Sequence, residues 1–391
     1  MPADARALAW VALARSAIPQ RALVTLLRAF GSPDALHAAT RSELEKLVAP
    51  ALAARIVAGR RGEPAASAEL DATARWLDEP GHHLIAWDDA DYPRALFELP
   101  DAPPALFHLG RRDLLNRPAF AIVGSRNATP QGAAIAREFA AALGGTGLTI
   151  VSGLAAGIDA AAHEGALRTA GSTIAVVATG PDRVYPAKNR SLMADIVADG
   201  AVVTEFLPGT EARKGSFPRR NRLISGLARG VLVVEATLSS GSLITARLAG
   251  EQGRDVFAIP GSIHSPFSKG CHKLIREGAK LVESVQDIIG ELGWGGAPSA
   301  VQASRGAGVE RDEPSANGAR GEAIANAARE DATARAVLDA IGHGVATVDM
   351  IVERTGLAAA FVMAELVRQE LAERVAPLPG GGWQRLRAPT E

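Results

Sequence analysis

Two apolar runs decide the fold of this chain: residues 119–124 read AFAIVG and residues 148–153 read LTIVSG. Each run is short, contains β-branched residues and ends in glycine, a pattern that predicts a strand buried on both faces. Four similar runs follow, at TIAVVATG (173–180), AVVTEF (201–206), VLVVEA (231–236) and DVFAIPG (255–261). Mostly helical patterns separate the runs. Strands that alternate with helices predict a parallel sheet covered on both faces, which is an extended Rossmann-like domain.

The residues before this sheet predict a small all-helical domain over residues 1–82. Apolar residues recur there at helical spacing. Gly31, Ser32 and Pro33 predict the end of one helix, followed by the N-cap and first residue of the next. The size suits a sterile-alpha-motif-like or helix-hairpin-helix-like domain. Because the segment lacks a Gly-x-Gly phosphate-binding hairpin, the sequence favours an interaction or structural role over direct DNA contact.

The Rossmann-like domain is predicted to span residues 83–293, and two further segments follow it. Residues 294–330 are rich in glycine, alanine, serine and proline, which predicts a flexible linker. Residues 331–391 regain structure in the order helix, helix, helix, hairpin, which predicts a winged-helix domain. Its third helix carries both glutamates and arginines, so protein contact or a structural role is favoured over insertion into a DNA groove.

Composition excludes several classes of protein. With 42 basic and 43 acidic residues among 391, the net charge of −1 excludes a wholly basic nucleic-acid binder but leaves room for a local basic patch. The single cysteine excludes a disulfide framework and a four-cysteine zinc site, and it suits the reducing cytoplasm. The sequence contains no apolar stretch of about 18 residues, so it predicts no membrane span. The first residues do not resemble a secretory signal. The sequence also contains no P-loop motif, so it does not predict an ATPase.

In an open parallel sheet, ligands bind beyond the carboxyl ends of the strands, and this rule selects three turns. The turns are Gly124-Ser125-Arg126, SGLAAGID at 152–159 and Ser240-Gly241-Ser242. Small residues that lead into a helix expose N–H groups at the positive end of the helix dipole, which suits phosphates. The alternative is that glycine and serine only permit tight connections between strand and helix.

Residues 211–222, EARKGSFPRRNR, are the sharpest local feature. They hold five basic residues and one acid in a nearly neutral chain. The basic residues are Arg213, Lys214, Arg219, Arg220 and Arg222. Phe217 lies among them, and cations beside an aromatic ring suit a phosphate backbone with at least one unstacked base. The alternative is a solvated loop whose charges pair with nearby carboxylates.

No catalytic constellation stands out, and neither a metal nor a cofactor is predicted. Asp159 and His163 lie four residues apart on a predicted helix, without the second histidine that a zinc protease needs, and they suit a structural pair. Cys271 is expected to be buried and inert. Glu205 and Glu235 lie near strand ends. Each could be an acid-base group, a ligand for ribose or a partner of the arginine cluster, and the sequence leaves these three roles open.

Five segments together resemble the DNA-processing protein A (DprA/Smf) family. They are GSRNATPQG (124–132), SGLAAGIDAAAHEGAL (152–167), FPRRNRLISGL (217–227), SGSLITA (240–246) and PGS with SKGCHKLIREGA (260–279). The resemblance covers roughly residues 85–290. It implies a protein of natural transformation that is not an enzyme. Such a protein binds and protects incoming single-stranded DNA, loads the RecA recombinase and acts as a homodimer through the Rossmann domain.

The resemblance also implies which residues contact DNA. Arg126 resembles a phosphate ligand, Lys214 a basic contact and Phe217 the stacking residue. The further pocket members that it implies are Gly124, Ser125, Ser152, Gly153, Gly157, Arg220, Asn221, Arg222, Ser240, Gly241 and Ser242. The sequence departs from the family at His272, where asparagine is usual, and at Ser239, where a basic residue is common. Contacts from these two positions are therefore expected to differ.

Two other functions compete with DNA binding. A nucleotide phosphoribohydrolase of the lysine-decarboxylase-like Rossmann group also holds phosphate and ribose with glycine-rich turns. Its Pro-Gly-Gly-x-Gly-Thr-x-x-Glu turn is not matched, since residues 240–246 read SGSLITA without a glutamate at the end. The other competitor is an interaction scaffold with a vestigial pocket, and the intact RNR and SGS motifs argue against it.

Overall fold

The computed structural model describes residues 5–59, 68–294, 333–342, 344–378 and 381–386. Two compact units divide the chain. The larger unit holds the N-terminal helices and a central sheet, and the smaller unit holds the C-terminal residues. Nearly all of the predicted linker at 294–330 lies outside the described residues.

Among the described residues, nine strands form the central sheet. In chain order they are β1 His83–Ala86, β2 Ala105–Gly110, β3 Ala119–Gly124, β4 Thr149–Ser152, β5 Thr173–Val176, β6 Ala201–Thr204, β7 Gly230–Val234, β8 Asp255–Ala258 and β9 Lys280–Leu281. Their spatial order is β1-β2-β6-β5-β4-β3-β7-β8-β9. The pairs β1–β2 and β2–β6 are antiparallel, whereas the other neighbours pair in parallel. The extended Rossmann-like fold is confirmed, and the sequence did not predict β1, β2 or β9.

Both faces of the sheet are buried, as the continuous apolar runs require. Along β3, Phe120 and Ile122 join one core while Ala121 and Val123 join the other. Seven helices follow strands of the sheet in the chain. They are α7 Pro130–Gly145, α8 Ile158–Ala166, α9 Arg190–Asp199, α10 Ser216–Leu227, α11 Ser242–Glu251, α12 Lys269–Arg276 and α13 Val285–Glu291. Single-turn 3-10 helices occur at Arg94–Glu98, Arg112–Asn116, Ala187–Asn189 and Pro266–Ser268.

The described residues before the sheet form six helices: α1 Ala5–Ala14, α2 Gln20–Phe30, α3 Pro33–Ala38, α4 Arg41–Glu45, α5 Pro50–Gly59 and α6 Ala68–Leu77. The expected boundary between α2 and α3 is present. Gly31 has a φ of 78°, and the Ser32 hydroxyl accepts a hydrogen bond from the Ala35 amide at 3.2 Å, which caps α3. Trp10 and Leu26 share one core with strand residues such as Leu106, so these helices pack on the sheet domain.

The C-terminal unit has the winged-helix order that the sequence predicts. It contains a helix over 333–341 (α14), β10 Val345–Thr347, α15 Val348–Thr355, α16 Ala359–Leu371, β11 Val375–Leu378 and β12 Gly382–Arg385. The Thr347 hydroxyl caps α15 by accepting from the Met350 amide at 3.4 Å. Strand β12 lies between β10 and β11. Val337, Val362 and Trp383 share the core of this unit.

Candidate nucleic-acid interface

A cavity of about 110 Å³ opens at the carboxyl edge of the central sheet. The residues around it come from the turns after β3, β4 and β5 and from the start of α10. They are Arg126, Gly153, Ala155, Ala156, Ala178, Thr179, Tyr185, Pro186, Phe217 and Arg220. Because β3, β4 and β5 are neighbours in the sheet, their carboxyl ends bring these distant segments together. Arg126, Gly153, Phe217 and Arg220 are thus brought together as the sequence predicts.

Two side chains of helix α8 hold the turn after β4 in place. The Asp159 carboxylate accepts hydrogen bonds from the amides of Gly153 at 3.1 Å and Ala155 at 3.4 Å. Between them, the Leu154 amide donates to Nε2 of His163 at 3.3 Å. Asp159 and His163 are therefore both structural, as the sequence predicts, but they do not bond to each other. Each binds the main chain of the turn separately.

The hydrogen bonds of His163 fix its proton. The Thr173 hydroxyl donates to the Ile150 carbonyl at 2.8 Å, so it accepts from Nδ1 of His163 at 2.7 Å. Nε2 is then the acceptor for the Leu154 amide. Burial, followed by the charge of Arg220, lowers the pKa of His163 to about 3. This imidazole is neutral and structural, so it supplies no metal ligand and no general base.

Arg220 is the buried cation at the floor of the cavity. Its Nη1 donates to the carbonyls of Gly153 and Val176, and its Nε donates to the Asn221 side chain at 3.2 Å. Burial lowers its pKa to about 10, and the Asp159 carboxylate opposes that shift. The guanidinium therefore remains charged at neutral pH. Its position is set by main-chain carbonyls rather than by a direct ion pair.

Gly157 is required by the backbone of the turn after β4. Its φ is 79°, and a Cβ there would lie 2.3 Å from the Ser125 carbonyl oxygen. The close approach brings the turn after β3, which carries Arg126, against the turn after β4. Gly124 is equally enclosed, since its Cβ would lie 1.9 Å from the Val234 carbonyl oxygen.

The mouth of the cavity is aromatic and cationic. The guanidinium of Arg126 lies 4.8 Å from the ring centre of Phe217, a cation–π distance. Tyr185 also packs on Phe217, with ring centres 5.7 Å apart and planes inclined by 55°. Arg126 is exposed, and Tyr185 is 51% exposed. The mouth thus presents one charge and two rings to solvent.

Lys214 and the Ser240-Gly241-Ser242 turn lie outside the residues that line the cavity. Lys214 is exposed in the loop before α10, and no hydrogen bond or ion pair engages it within the described part of the chain. The turn follows β7, which pairs with β3, and the Asn221 amide lies 3.5 Å from the Gly241 carbonyl oxygen. Ser240 and Ser242 bond to each other at 2.8 Å.

Arg222 requires a correction to the predicted set. Its Nη2 pairs with the Glu205 carboxylate at 2.6 Å, and its Nε lies 3.5 Å from Asp101. Both the Arg222 and the Glu205 side chains are buried, with the Glu205 side chain only 2% exposed. Arg219 also contacts Glu205, at 2.9 Å. Arg222 is therefore a structural cation that anchors α10 to the end of β6, and Glu205 is its partner rather than a ligand for ribose.

The two serines at the strand ends are also structural in their side chains. Ser152 is buried, and its hydroxyl donates to the Ile122 carbonyl at 2.6 Å. The buried Ser125 hydroxyl accepts from the Asn127 amide at 3.1 Å. These contacts join β4 to β3 and shape the Arg126 turn. Neither hydroxyl lines the cavity, and each supports the shape of its turn through a main-chain contact.

Sequence reasoning missed Tyr185, Pro186 and Thr179, which lie in the segment after β5. The rule that selected the other turns applies to this one too, because β5 is a neighbour of β4. An aromatic residue in that segment was the available signal. Asn189 was also missed: its side-chain amide donates to the Leu154 carbonyl at 2.9 Å and so supports the turn after β4.

The other residues with possible chemistry are engaged in the structure. Cys271 is buried, as expected, and burial raises the pKa of its thiol to about 11. His272 bonds through Nε2 to the Gly261 carbonyl at 3.0 Å, which is a main-chain contact. Within the described ranges, no cluster of three His, Cys, Asp or Glu side chains suits a metal ion. No helix of these same ranges is long and apolar enough to cross a bilayer.

Helix α16, the third helix of the winged-helix unit, presents apolar side chains to solvent. Phe361 and Leu371 are 69% and 83% exposed, and Met363 and Val367 are also exposed. Glu365 is buried instead, and it accepts from Gln369 at 2.6 Å. A helix that reads a DNA groove exposes cations and hydrogen-bond donors, so this face is poorly suited to that role.

The comparisons with known proteins agree on one family. The model described as DNA recombination-mediator protein A matches residues 83–293, and that of the DprA winged helix domain matches residues 322–381. Protein Smf of Escherichia coli strain K12 is 40% identical over 321 residues, which are 81% of this chain and 81% of that protein.

Two solved structures are similar as well. The X-ray structure of DNA processing protein A from Streptococcus pneumoniae has a TM-score of 0.61 and 40% identity, and the match covers 72% of this chain and 96% of that chain. A structure that describes the single-stranded DNA binding mode of DNA processing protein A from Helicobacter pylori has a TM-score of 0.50 and 32% identity, with 54% of this chain and 95% of that chain covered.

Fold and site together define a Rossmann-like protein that carries a cationic, aromatic cavity at the carboxyl edge of its sheet and a winged-helix unit in its C-terminal region. The sequence matches place it more narrowly. The chain belongs to the DNA recombination-mediator protein A family, whose members are named DprA or Smf. The resemblance seen in the sequence motifs is thus confirmed.

Proposed function

We propose that this protein binds single-stranded DNA at the cavity and its cationic surroundings. The observation that carries the proposal is the contact of Arg126 with Phe217 at the cavity mouth, at 4.8 Å. A guanidinium beside a partly exposed ring offers one group to a phosphate and one to a base. Exposed Lys214, near the start of α10, adds a second cation for the backbone. The single-stranded DNA binding that is described for the Helicobacter pylori relative supports the proposal.

Unpaired strands suit this site better than duplex DNA. The cavity has room for little more than one aromatic ring, and a base in a duplex keeps both faces stacked. A single strand can place a base at Phe217 while its phosphates meet Arg126 and Lys214. Because the charges act on the backbone, the greater part of the affinity is expected to be independent of sequence and sensitive to salt.

From family membership we infer the wider role. The protein protects incoming single strands in the cytoplasm, loads the RecA recombinase and so serves natural transformation and recombination. It acts without catalysis. The structure agrees in that Glu205, one of the two candidate acids, is paired with Arg222 and Arg219 and lies outside the cavity lining. A phosphoribohydrolase would need an accessible carboxylate beside the sugar.

We further propose a homodimer through the Rossmann domain. Strand β9 is at the edge of the sheet, and Leu281 on it is exposed. A groove of about 730 Å³ adjoins this edge, and Leu238, Leu243 and Leu274 line it. Among the described residues, β9 has no strand paired to its outer edge, and the leucines of this groove, which six charged side chains also line, suit burial by a second copy. Light scattering on the wild type and on Leu238→Asp tests this, with a dimer expected only for the wild type.

The experiment that tests DNA binding is fluorescence anisotropy with labelled single- and double-stranded oligonucleotides at two salt concentrations. We expect tighter binding to the single strand, weaker binding at higher salt, and a loss of affinity in Arg126→Ala. Arg21→Ala removes another exposed arginine, on α2, and serves as the control. Equal affinity of Arg126→Ala and wild type contradicts the proposed site. Release of free base from AMP favours the phosphoribohydrolase instead.

A further inference from the structure

Helix α16, residues Ala359–Leu371, is apolar on two opposite sides. One side carries Val362 and Leu366, which are fully buried in the core of the winged-helix unit. The apolar residues of the other side lie in solvent, and they are Ala360, Met363, Ala364, Val367 and Leu371. Because about 3.6 residues make one turn, these residues lie on the face turned away from that core. A helix that is apolar all round is normally covered on both sides, so the outer face fits a partner.

The outer face of α16 has the spacing of a coiled-coil seam. Four of its residues follow one another at intervals of four, three and four positions: Ala360, Ala364, Val367 and Leu371. This is the alternation of a and d positions in a heptad repeat, and we call these residues the α16 seam. The exposed residues Arg368 and Glu370 flank the seam on its two sides. A seam this narrow suits one further helix, whereas a helix that packs on a globular core carries a wider apolar stripe.

The seam complements the seam of a second copy when the two helices run antiparallel. A two-fold axis then crosses the middle of the seam, so that Ala360 faces Leu371 of the second copy and Ala364 faces Val367 of the second copy. Each layer pairs a small side chain with a large one, which fills the space between the helices. A parallel pair would place alanine on alanine in two layers and leave gaps.

The residues beside the seam are compatible with the same pairing. Exposed Phe361 lies on the same side of the seam as Arg368, and Met363 lies on the side of Glu370. In the antiparallel pair Arg368 meets Phe361 of the second copy, which is a cation–π contact. Glu370 meets the apolar side chain of Met363. Like charges, which would oppose association, are not brought together.

The charges around the seam argue against a lipid surface as the occupant. A helix that lies on a membrane carries mostly lysine and arginine on its polar side. Here two exposed acids balance two exposed arginines: Glu370, Glu373, Arg368 and Arg374. A second copy with the same balance of charges is the better match for this face.

We propose that this protein self-associates through the α16 seam, which pairs antiparallel with the α16 seam of a second copy. The contact lies in the winged-helix unit and is distinct from the homodimer proposed for the Rossmann domain. It goes beyond DNA binding and does not depend on it. A helix of 13 residues is about 20 Å long, so the contact is smaller than the roughly 800 Å² per partner of a standard interface. We therefore expect weak association that depends on protein concentration.

Sedimentation velocity of the full chain over a range of concentrations tests the contact. Leu238→Asp serves as the background, because it removes the proposed Rossmann contact. In that background we expect a reversible dimer, and the added change Val367→Glu should weaken its association at least about tenfold. Val367 is already exposed, so the glutamate leaves the core intact. Met350→Glu places the same charge on an exposed methionine of α15 and is the matched control, with unchanged association.

Engineered cysteines test the direction of the two helices without adding charge to the seam. A disulfide forms only where two Cα atoms lie within about 7 Å. Under mild oxidation, a mixture of the Ala360→Cys and Leu371→Cys proteins should form the mixed cross-link, whereas neither protein should cross-link with itself. Cys271 is buried and stays out of the reaction. Circular dichroism melting shows that each variant is folded.

The proposal is overturned if the Leu238→Asp protein is a monomer at every concentration, or if Val367→Glu leaves its association unchanged. An equal loss in Met350→Glu also overturns it, because the effect is then not specific to the seam. Self-linking of Ala360→Cys overturns the antiparallel arrangement. Binding of the wild type, but not of Val367→Glu, to vesicles of phosphatidylglycerol and phosphatidylcholine without self-association shows that a lipid surface is the occupant instead. Each of these results leaves the proposed DNA binding in place.

Discussion

The guanidinium of Arg220 lies so close to Gly153 that a Cβ on residue 153 would be 2.4 Å from Nη1. The same Nη1 donates to the Gly153 carbonyl. A residue from the helix before β7 and a residue from the turn after β4 therefore depend on each other. The floor of the cavity exists because the turn has no side chain at this position.

This contact leaves no room for a side chain at residue 153. Gly153→Ala is expected to displace the Arg220 side chain, since the added methyl and the guanidinium cannot share the space. Burying extra volume at such a contact costs about 1–3 kcal/mol of stability. Both the free energy of unfolding and the affinity for single-stranded DNA should fall. Gly145→Ala, near the end of α7, is the control, because a Cβ at Gly145 meets nothing within 4 Å. Wild-type affinity in Gly153→Ala would show that the floor has no part in binding.

The salt dependence of binding measures how many phosphates the protein contacts. Contact with about four phosphates of a single strand gives a slope of roughly −3 in a plot of log affinity against log salt, at about −0.7 for each phosphate. Because Arg126 and Lys214 are both exposed, Arg126→Ala with Lys214→Ala should make the slope shallower by about 1.4. Titrations of oligo-dT at several salt concentrations give this value. A wild-type affinity that is independent of salt contradicts backbone recognition.

Arg222 and Arg219 contact the same carboxylate but are expected to differ in effect. Arg222→Ala leaves buried Glu205 without its buried partner, which costs about 3 kcal/mol or more. Arg219→Ala removes a cation that is 48% exposed, and because solvent screens this end of the pair, the loss is expected to be smaller, about 1 kcal/mol. Denaturant unfolding followed by tryptophan fluorescence measures both. Folded Arg222→Ala should bind DNA with nearly normal affinity. A large, specific loss of affinity without a loss of stability would restore Arg222 as a contact.

Acid is expected to destabilise the sheet domain through His163. The pKa of this buried imidazole is lowered to about 3, whereas in the unfolded chain it is near 6.5. Above pH 6.5 the imidazole is neutral in both the folded and the unfolded chain, so its contribution to the free energy of unfolding is fully present. As the pH falls from about 6.5 to 3 the unfolded state takes up a proton that the folded state refuses, and stability drops by about 1.4 kcal/mol for each pH unit.

The comparison of His163→Gln with wild type between pH 6 and pH 4 tests this. The variant should lose less free energy of unfolding per pH unit, because it has no proton to take up at that site. His37→Gln, at an exposed residue on α3, is the control and should keep the wild-type slope. An identical slope in all three proteins contradicts the assignment of His163 as a neutral, buried group.

Patterns along the chain were enough to predict the parallel part of the fold. The runs at 119–124 and 148–153 are mostly apolar and almost continuously buried, with Thr149 and Ser152 as buried polar exceptions, and continuous burial is a local property that composition records. Strands β1 and β2 were missed because His83 and His108 interrupt the apolar pattern, although these rings face each other at 6.2 Å across the two strands. Strand β9 is only two residues long, and so short a strand leaves no periodicity to detect.

The candidate site, like the fold, could be predicted from the sequence only in part. The turns with Arg126 and Gly153 follow from the strand-end rule, and Phe217 follows from its basic surroundings and the family motif. Only the tertiary structure decided that Arg220 turns inward to the cavity while Arg222, two residues later, turns away to Glu205. Sequence shows the number of charges in a cluster, but the direction of each depends on which face of α10 packs on the sheet. The burial of each arginine, its bonding partners and the neighbouring ring of Tyr185 depend on segments that are far apart in the chain. No local sequence pattern records such contacts.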